Sequence, residues 1–208
     1  MMGLFKKIVN QTRKPEGFLG KMMINGMNGG HAKLADWGMT HLDQVTASHI
    51  AELGCGGGRN TAELMKRYPQ AVVTALDYSE LSVEKTKNYN KSMIAAGRCT
   101  VMHGNVASLP FENGVFDLAT AFETIYFWQG LEHCFSEVFR VLTPGGVFMI
   151  CNESDGTDET SLKYEKIIDG MKCYTIEEIT AALTAAGFSA IQSDHYDGEP
   201  WITVLARK

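Results

Sequence analysis

The stretch SHIAELGCGGGR, residues 48–59, decides the fold. It begins as a short apolar run of strand length, passes through glycines at positions 54, 56, 57 and 58, and continues into a segment with helical spacing. Glycines at a strand-to-helix turn permit positive φ and let a ligand approach the backbone closely. The sequence therefore predicts a buried strand, a ligand-binding turn and a helix in direct succession.

Short apolar runs and longer helical segments alternate after this stretch, which is typical of a parallel sheet with crossover helices. In chain order, the predicted elements are strand 48–53, helix 59–68, strand 71–76, helix 79–97, strand 98–103, strand 115–122, helix 131–142 and strand 147–151. Pro144, Gly145 and Gly146 are expected to end the helix before the last of these strands.

The C-terminal part of the chain has a different pattern. A helix is predicted over 175–186, followed by strands over 189–195 and 201–206 that are joined by a turn rich in Gly and Pro. Two strands this close in sequence favour an antiparallel pair. We therefore expect an α/β fold: a Rossmann-like seven-stranded sheet, mostly parallel, with an antiparallel terminal hairpin and helices on both faces.

Composition excludes several classes of protein. The 208 residues contain 19 Lys and Arg against 24 Asp and Glu, and this net charge of −5 argues against a nucleic-acid partner. No apolar run approaches the roughly 20 residues of a membrane-spanning helix, so no membrane partner is predicted. Residues 1–7 lack the pattern of a signal peptide, so a cytoplasmic protein is expected. The five cysteines are far apart in sequence, and no metal ligand is predicted.

The spacing of residues around the glycines limits the classes of ligand that the turn can bind. A dinucleotide fingerprint needs glycine where Arg59 or Thr61 stands, and no Gly-Lys-Ser or Gly-Lys-Thr of a phosphate-binding loop occurs. An acidic residue, Asp77, ends the second predicted strand 19 residues after Gly58. A carboxylate at that place can accept both hydroxyl protons of a ribose, which indicates a nucleoside without requiring a phosphate.

Five motifs in order then carry a family resemblance. They are Glu52-Leu53-Gly54-Cys55-Gly56-Gly57-Gly58, Ala75-Leu76-Asp77-Tyr78-Ser79, Gly104-Asn105-Val106 with Leu109-Pro110-Phe111, Phe116-Asp117, and Arg140-Val141-Leu142-Thr143-Pro144-Gly145-Gly146. Over about residues 48–151 the chain resembles the class I S-adenosylmethionine-dependent methyltransferases, in particular the small-molecule branch that includes the ubiquinone/menaquinone C-methyltransferases. The resemblance implies the strand order 3-2-1-4-5-7-6, S-adenosylmethionine as cofactor and S-adenosylhomocysteine as product.

The resemblance also implies roles for individual residues. The glycine loop would pack on the methionine part and the ribose, Asp77 would hold the ribose hydroxyls, and Tyr78 would lie against the adenine. Asn105 stands where the family usually has aspartate. It would accept a hydrogen bond from the adenine amino group through its uncharged amide oxygen. The residues expected to bind the cofactor are Glu52, Gly54, Cys55, Gly56, Gly58, Asp77, Tyr78, Asn105, Val106 and Glu123.

Catalytic residues are less well defined by the sequence. Methyl transfer is an in-line displacement that positioning alone can accelerate, and a base is needed only when the acceptor must lose a proton. The candidates are His31, Glu123 and Tyr126. The glycines at 20, 26, 29 and 30 suggest a hinged lid over residues 18–31, with His31 and Tyr126 on opposite sides of the acceptor. The aromatic run 126–128 fits either a pocket wall or the core.

A single methyltransferase domain over residues 1–208 is expected. Residues 1–47 would form a helical cap or lid, residues 48–151 the cofactor-binding core, and residues 152–208 a substrate-side insertion and the terminal hairpin. The predicted function is methyl transfer to a small-molecule acceptor in a closed pocket, chiefly by positioning. A methyltransferase of a macromolecule and a non-catalytic S-adenosylmethionine-binding module remain alternatives.

Overall fold

The computed structural model describes the backbone of residues 2–208, and the side chains of these residues except 2–4, 25, 27 and 28. Seven strands form one sheet: β1 His49–Leu53, β2 Val72–Asp77, β3 Cys99–His103, β4 Phe116–Phe122, β5 Leu142–Asn152, β6 Ser189–His195 and β7 Ile202–Arg207. Their order is β3-β2-β1-β4-β5-β7-β6. The first five are parallel, and β7 pairs antiparallel with both β5 and β6. The predicted fold class is confirmed.

Nine α-helices surround the sheet in the described part of the chain: α1 Met2–Val9, α2 Gly17–Gly30, α3 Ala32–Thr40, α4 Arg59–Arg67, α5 Glu80–Tyr89, α6 Lys91–Ala95, α7 Leu131–Val141, α8 Glu159–Glu165 and α9 Ile176–Ala185. Ile50 of β1 packs in the same buried cluster as residues of α3 and α4. Its neighbour Ala51 packs in a second cluster with residues of α7 and α9. Successive strand residues point to opposite faces, so the sheet is covered on both sides.

The helix predicted over 79–97 is wrong in one respect, because it is broken at Asn90. The Asn90 amide donates to the carbonyl oxygen of Gly58 at 2.9 Å and to that of Thr86 at 3.2 Å. Asn90 is buried with non-helical φ −106° and ψ 20°. The helix pattern is therefore interrupted where a side chain is needed to satisfy the glycine turn after β1.

Two further expectations are corrected. The run 144–146 does not separate α7 from a strand, because β5 begins at Leu142, directly after α7. Phe116 pairs with Leu142 and Leu118 pairs with Val147, so the extra residues form an irregularity within β5 rather than a turn before it. The glycines expected to form a hinge lie inside α2, and the interruption between helices falls at His31 instead, with φ −91° and ψ 8°.

Candidate active site

A cavity of about 680 Å³ opens along the carboxyl ends of β1, β2 and β4. Ligands of open α/β sheets bind at this edge, outside the strand ends. Ten of the residues predicted from the sequence line the cavity: His31, Gly54, Cys55, Gly56, Asp77, Tyr78, Asn105, Val106, Glu123 and Tyr126. The two other predicted cofactor residues, Glu52 and Gly58, are not among the lining residues.

The glycine turn is tightly packed at its first residue. Gly54 has φ +89°, and a Cβ at this position would overlap the side chain of Thr124. The backbone N–H groups of Gly54 and Cys55 both donate to the carbonyl oxygen of Leu76, at 2.8 and 3.1 Å. These two hydrogen bonds fix the turn against the end of β2. Position 54 requires glycine both because its φ is positive and because Thr124 leaves no space for a Cβ.

Asp77 lies at the centre of one end of the cavity. Its Oδ2 accepts the N–H of Gly56 and its Oδ1 accepts the N–H of Ser79, both at 2.9 Å. Burial raises the pKa of this carboxyl, and the two backbone N–H groups partly oppose the rise. Each carboxylate oxygen can accept more than one hydrogen bond, so both can still receive a ligand hydroxyl. The geometry fits the ribose that the sequence predicts here.

Tyr78 and Ser79 hold the N-terminal segment across the cavity. The Tyr78 hydroxyl donates to the carbonyl oxygen of Arg13, and the Ser79 hydroxyl donates to that of Pro15 at 2.9 Å. Burial, the largest cause, raises the pKa of Tyr78 to about 12. Both bonds lie beside Asp77, so the cap is fixed at the ribose end of the cavity.

Asn105 lines the cavity in a turn. Its Oδ1 accepts the N–H of Ala107 at 3.0 Å. An amide oxygen has a second lone pair and the Nδ2 group has two protons, so the side chain can still contact a base. The structure thus gives Asn105 a local role in the turn in addition to the role implied by the resemblance.

Glu52 is directed away from the cavity. It lies on the face of β1 that α4 covers, and its Oε2 accepts a hydrogen bond from the hydroxyl of Thr61. Burial raises the pKa of Glu52 to about 8, and the charge of Asp77 adds to the rise. A carboxyl group in this setting is protonated near neutral pH, so Glu52 helps to pack α4 on the sheet.

The opposite end of the cavity contains a cluster around Glu123. This residue follows β4 with φ +59°, which side chains rarely adopt, and its N–H donates to the carbonyl oxygen of Cys151 at 2.9 Å. Its Oε1 accepts the Tyr126 hydroxyl at 3.1 Å and also the N–H of Glu153. The Tyr126 hydroxyl in turn accepts the N–H of Ser154 at 3.0 Å. These bonds hold the Glu123 carboxyl group at the cavity wall.

The Glu123 carboxyl group has an unusual acidity. Burial is the main cause that raises its pKa to about 8, and the charge of Glu153 is the second. His31 reaches the same cluster from the junction of α2 and α3, with its Nε2 3.5 Å from Oε2 of Glu153. One potential ligand atom of each of His31, Glu123 and Glu153 lies within 4.8 Å of the others, which makes them a possible donor set for a divalent cation.

Several lining residues were not predicted individually. The sequence identifies the N-terminal cap and the substrate-side insertion after residue 151 only as whole segments. Each lines the cavity with four or more side chains that the sequence did not single out: Val9, Thr12, Arg13, Pro15 and Met23 from the first, and Ser161, Tyr164, Ile168 and Met171 from the second. The irregular sequence pattern of these two segments indicates that they border the site. It does not indicate which of their side chains face the cavity.

Comparison with known proteins agrees with this geometry. A family model described as "Methyltransferase domain" matches residues 51–150. The chain is 25% identical over 177 residues to the sterol 24-C-methyltransferase of Eremothecium gossypii, covering 78% of this chain and 47% of that protein. The chain thus spans about half the length of this curated relative.

Solved structures share the fold. A chain of the complex between the Haloferax volcanii Trm112 methyltransferase activator and its methyltransferase superposes with a TM-score of 0.83 at 18% identity, over 90% of this chain and 94% of that one. The geranyl diphosphate C-methyltransferase of Streptomyces coelicolor, solved with Mg²⁺, geranyl diphosphate and S-adenosyl-L-homocysteine, gives 0.73 at 14% identity, over 85% and 77%. In the described part of the chain, no helix has the length and apolar character needed to cross a bilayer.

Proposed function

Residues 51–150 are a class I S-adenosylmethionine-dependent methyltransferase domain, and we propose that the chain uses it to methylate a small molecule. One observation carries the proposal. A single cavity joins Asp77, at the end suited to a ribose, to Glu123, at the end that holds a buried carboxyl group. A cofactor and an acceptor bound at these two ends would meet inside one pocket, as transfer requires.

The cofactor fits the first end of the cavity. Beside Gly56 an added Cβ would meet nothing within 4 Å, so this glycine leaves room for a ligand to approach the backbone, and the Asp77 carboxylate would hold the ribose hydroxyls. Tyr78 and Asn105 would border the adenine. When bound there, S-adenosylmethionine supplies an electrophilic methyl group on a sulfonium. The cavity volume of about 680 Å³ lies in the range of roughly 300–1,000 Å³ typical of ligand pockets.

Glu123 is the base in this proposal, for acceptors that must lose a proton. Both of its hydrogen bonds described above go to Oε1, which leaves Oε2 to receive the proton. With a pKa of about 8, the carboxylate form that accepts the proton is a minority near pH 7 and increases as the pH rises, so the transfer rate should rise with pH toward about 8 and level off above it. Tyr126 acts as a positioning residue, because its hydroxyl lies between Glu123 and the backbone of Ser154.

The acceptor we propose is a largely apolar small molecule with one acidic proton. The lining beyond the glycine turn includes apolar side chains from three parts of the chain: Met23 and Leu34 from the N-terminal segment, Phe122, Phe127 and Trp128 from the end of β4 and the turn after it, and Ile168 and Met171 from segment 152–174. Relatives named for sterol and geranyl diphosphate methylation agree with an apolar acceptor. The N-terminal segment, held by Tyr78 and Ser79, would keep water from the reacting atoms.

The test follows the methyl group. The full chain is incubated with methyl-labelled S-adenosylmethionine and cell extract, and the label is measured separately in organic-soluble, aqueous small-molecule, protein and nucleic-acid fractions. We expect label in the organic-soluble fraction, and its loss in the Asp77→Ala variant. Label confined to protein or nucleic acid would contradict the proposal. So would the absence of transfer by a chain that binds S-adenosylhomocysteine, which would indicate a binding module.

A further inference from the structure

The first 21 residues have a charge opposite to that of the rest of the chain. They contain five basic residues and one acidic residue, a net charge of +4, whereas the whole chain has a net charge of −5. The basic residues are Lys6, Lys7, Arg13, Lys14 and Lys21, and the acidic one is Glu16. Positive charge is thus concentrated on α1, the start of α2 and the turn between them.

Four of these basic residues line a groove. This second cavity, of about 610 Å³, is lined by Lys6, Lys7, Arg13 and Lys14, with Asn10, Gln11, Glu16, Tyr78 and Asp169 completing its wall. Lys6 pairs with Asp169 at 2.7 Å, and Lys14 lies 3.6 Å from Glu16. Lys7 has no carboxylate partner among the described side chains. The groove therefore retains positive charge that suits a phosphate group.

Exposed apolar side chains lie on the same two helices. Phe5 and Ile8 of α1 are 48% and 36% exposed, and Phe18 and Met22 of α2 are 76% and 58% exposed. They are four of the nine exposed large apolar side chains in the described part of the chain. Since Phe18 and Met22 are four residues apart, they lie on one side of α2. Exposed apolar side chains that are concentrated in one region indicate a surface that binds another apolar surface.

This surface adjoins the main cavity. Arg13 and Tyr78 line both the groove and the cavity. Val9 and Pro15, from the same segment, also line the main cavity. Whatever binds to the N-terminal segment therefore lies beside the cofactor end of that cavity.

We propose that α1, α2 and the groove between them form a docking face for an anionic lipid surface. Phe5, Ile8, Phe18 and Met22 would enter the boundary between head groups and acyl chains, and the basic side chains would contact lipid phosphates. Peripheral membrane binding requires both signals, apolar insertion and positive charge, and this face supplies both. The expectation of no membrane partner rests on the lack of a spanning segment, which does not bear on peripheral binding of this kind.

An anionic lipid surface fits this face better than a nucleic acid does. Phosphates of a nucleic acid would satisfy the basic groove, but they would leave Phe18 and Met22 in water. The inference does not rest on methyl transfer, because it concerns where the chain docks and is tested by binding alone.

The experiment is vesicle flotation with the full chain. Vesicles of pure phosphatidylcholine are compared with vesicles of equal parts phosphatidylcholine and phosphatidylglycerol. We expect binding to the anionic vesicles only. Lys7→Glu with Lys21→Glu should weaken it by at least about fivefold for each lysine, since each basic residue near an anionic membrane contributes on the order of fivefold in affinity. Phe18→Ser with Met22→Ser should also weaken it, which a purely electrostatic contact would not predict.

A matched control uses Tyr89→Ser with Lys91→Glu, at the junction of α5 and α6. Both residues are exposed, and neither lines the groove or the main cavity. The control should float like the unmodified chain. Circular dichroism should be the same for all variants. Failure to bind anionic vesicles would overturn the proposal, as would equal loss in the control. Binding to single-stranded RNA that the Phe18 and Met22 changes leave intact, without vesicle binding, would also overturn it.

Discussion

The acidity of Glu123 is the property of this molecule that can be tested most sharply. Its pKa is raised from 4.5 to about 8, so at about pH 7 roughly nine of ten molecules hold a proton on this carboxyl group. Because the folded state keeps a proton that the unfolded state releases near pH 4.5, the free energy of unfolding should fall as the pH rises from about 4.5 to about 8.

Glu153→Gln removes the second cause of the raised pKa. The ligand oxygens of Glu123 and Glu153 lie within 4.8 Å of each other. At that distance, two unit charges interact by about 1 kcal/mol in water and by about 3.5 kcal/mol at an effective dielectric constant of 20. Half of the Glu153 side chain is exposed, so solvent screening favours the lower figure. We expect the pKa of Glu123 to fall by about one unit and to stay above 4.5, because burial is the larger cause.

The assay is a pH titration of carboxyl carbons by ¹³C NMR on glutamate-labelled protein, which requires no acceptor. Glu123→Gln identifies the Glu123 signal, and Glu52→Gln identifies the other buried glutamate, whose pKa is also raised to about 8. His31 Nε2 lies 3.5 Å from Oε2 of Glu153, so the titration is repeated with His31→Asn. A Glu123 signal that titrates near 4.5 in the unmodified chain would refute the reasoning. So would a pKa unaffected by Glu153→Gln.

Three other predictions concern the cofactor end and the cap. Asp77→Ala should weaken S-adenosylhomocysteine binding by about 3 kcal/mol, since two charge-assisted contacts are lost. Calorimetry should find unchanged affinity for Asp117→Ala, whose carboxyl group also accepts two backbone N–H groups, both on Oδ2, but lies at the other edge of the sheet. Gly54→Ala should destabilise the fold by about 3 kcal/mol in chemical denaturation, because a Cβ there meets Thr124 at φ +89°; a change below 1 kcal/mol, roughly, would contradict this. Hydrogen exchange in Gly17–Gly30 should slow when S-adenosylhomocysteine is added, and slowing confined to residues 152–174 would move the lid role to that segment.

The sheet could be predicted from the sequence because its signals are local. Most strands are short apolar runs, and the glycines after Leu53 and the acidic end of the second strand lie within or beside those runs. The strand order came from the family resemblance, and the structure agrees with it. Asp77 and Asn105 could also be assigned to one site from the sequence, because both follow predicted strands and the carboxyl ends of parallel strands share one edge of the sheet. Both residues line the same cavity.

The break at Asn90 could not be predicted, since its cause lies elsewhere in the chain. Residues 79–97 have a helical pattern throughout, and only the carbonyl oxygen of Gly58, 32 positions away, explains why the chain leaves the helix. The same holds for the cluster of His31, Glu123 and Glu153. Each comes from a different segment, and only the packing of the cap on the sheet brings them together.

The position of Glu52 could have been predicted more closely. Ile50 lies on the face covered by α3 and α4, and strand residues alternate between faces, so Glu52 must share that side. The family motif has an acidic residue at this place, and the expected cofactor role of Glu52 came from that resemblance alone. In the structure Glu52 bonds to Thr61 beneath α4.

In the proposed function, the methyl group of S-adenosylmethionine is transferred to a small molecule in this cavity. The most direct measurement uses S-adenosylmethionine with a trideuterated methyl group and mass spectrometry of both products after incubation with a library of apolar metabolites. We predict S-adenosylhomocysteine and one metabolite carrying an intact trideuteromethyl group, in equal amounts and at a rate that falls in Glu123→Gln. S-adenosylhomocysteine that forms without a labelled metabolite, or no turnover while the cofactor binds, would contradict the claim.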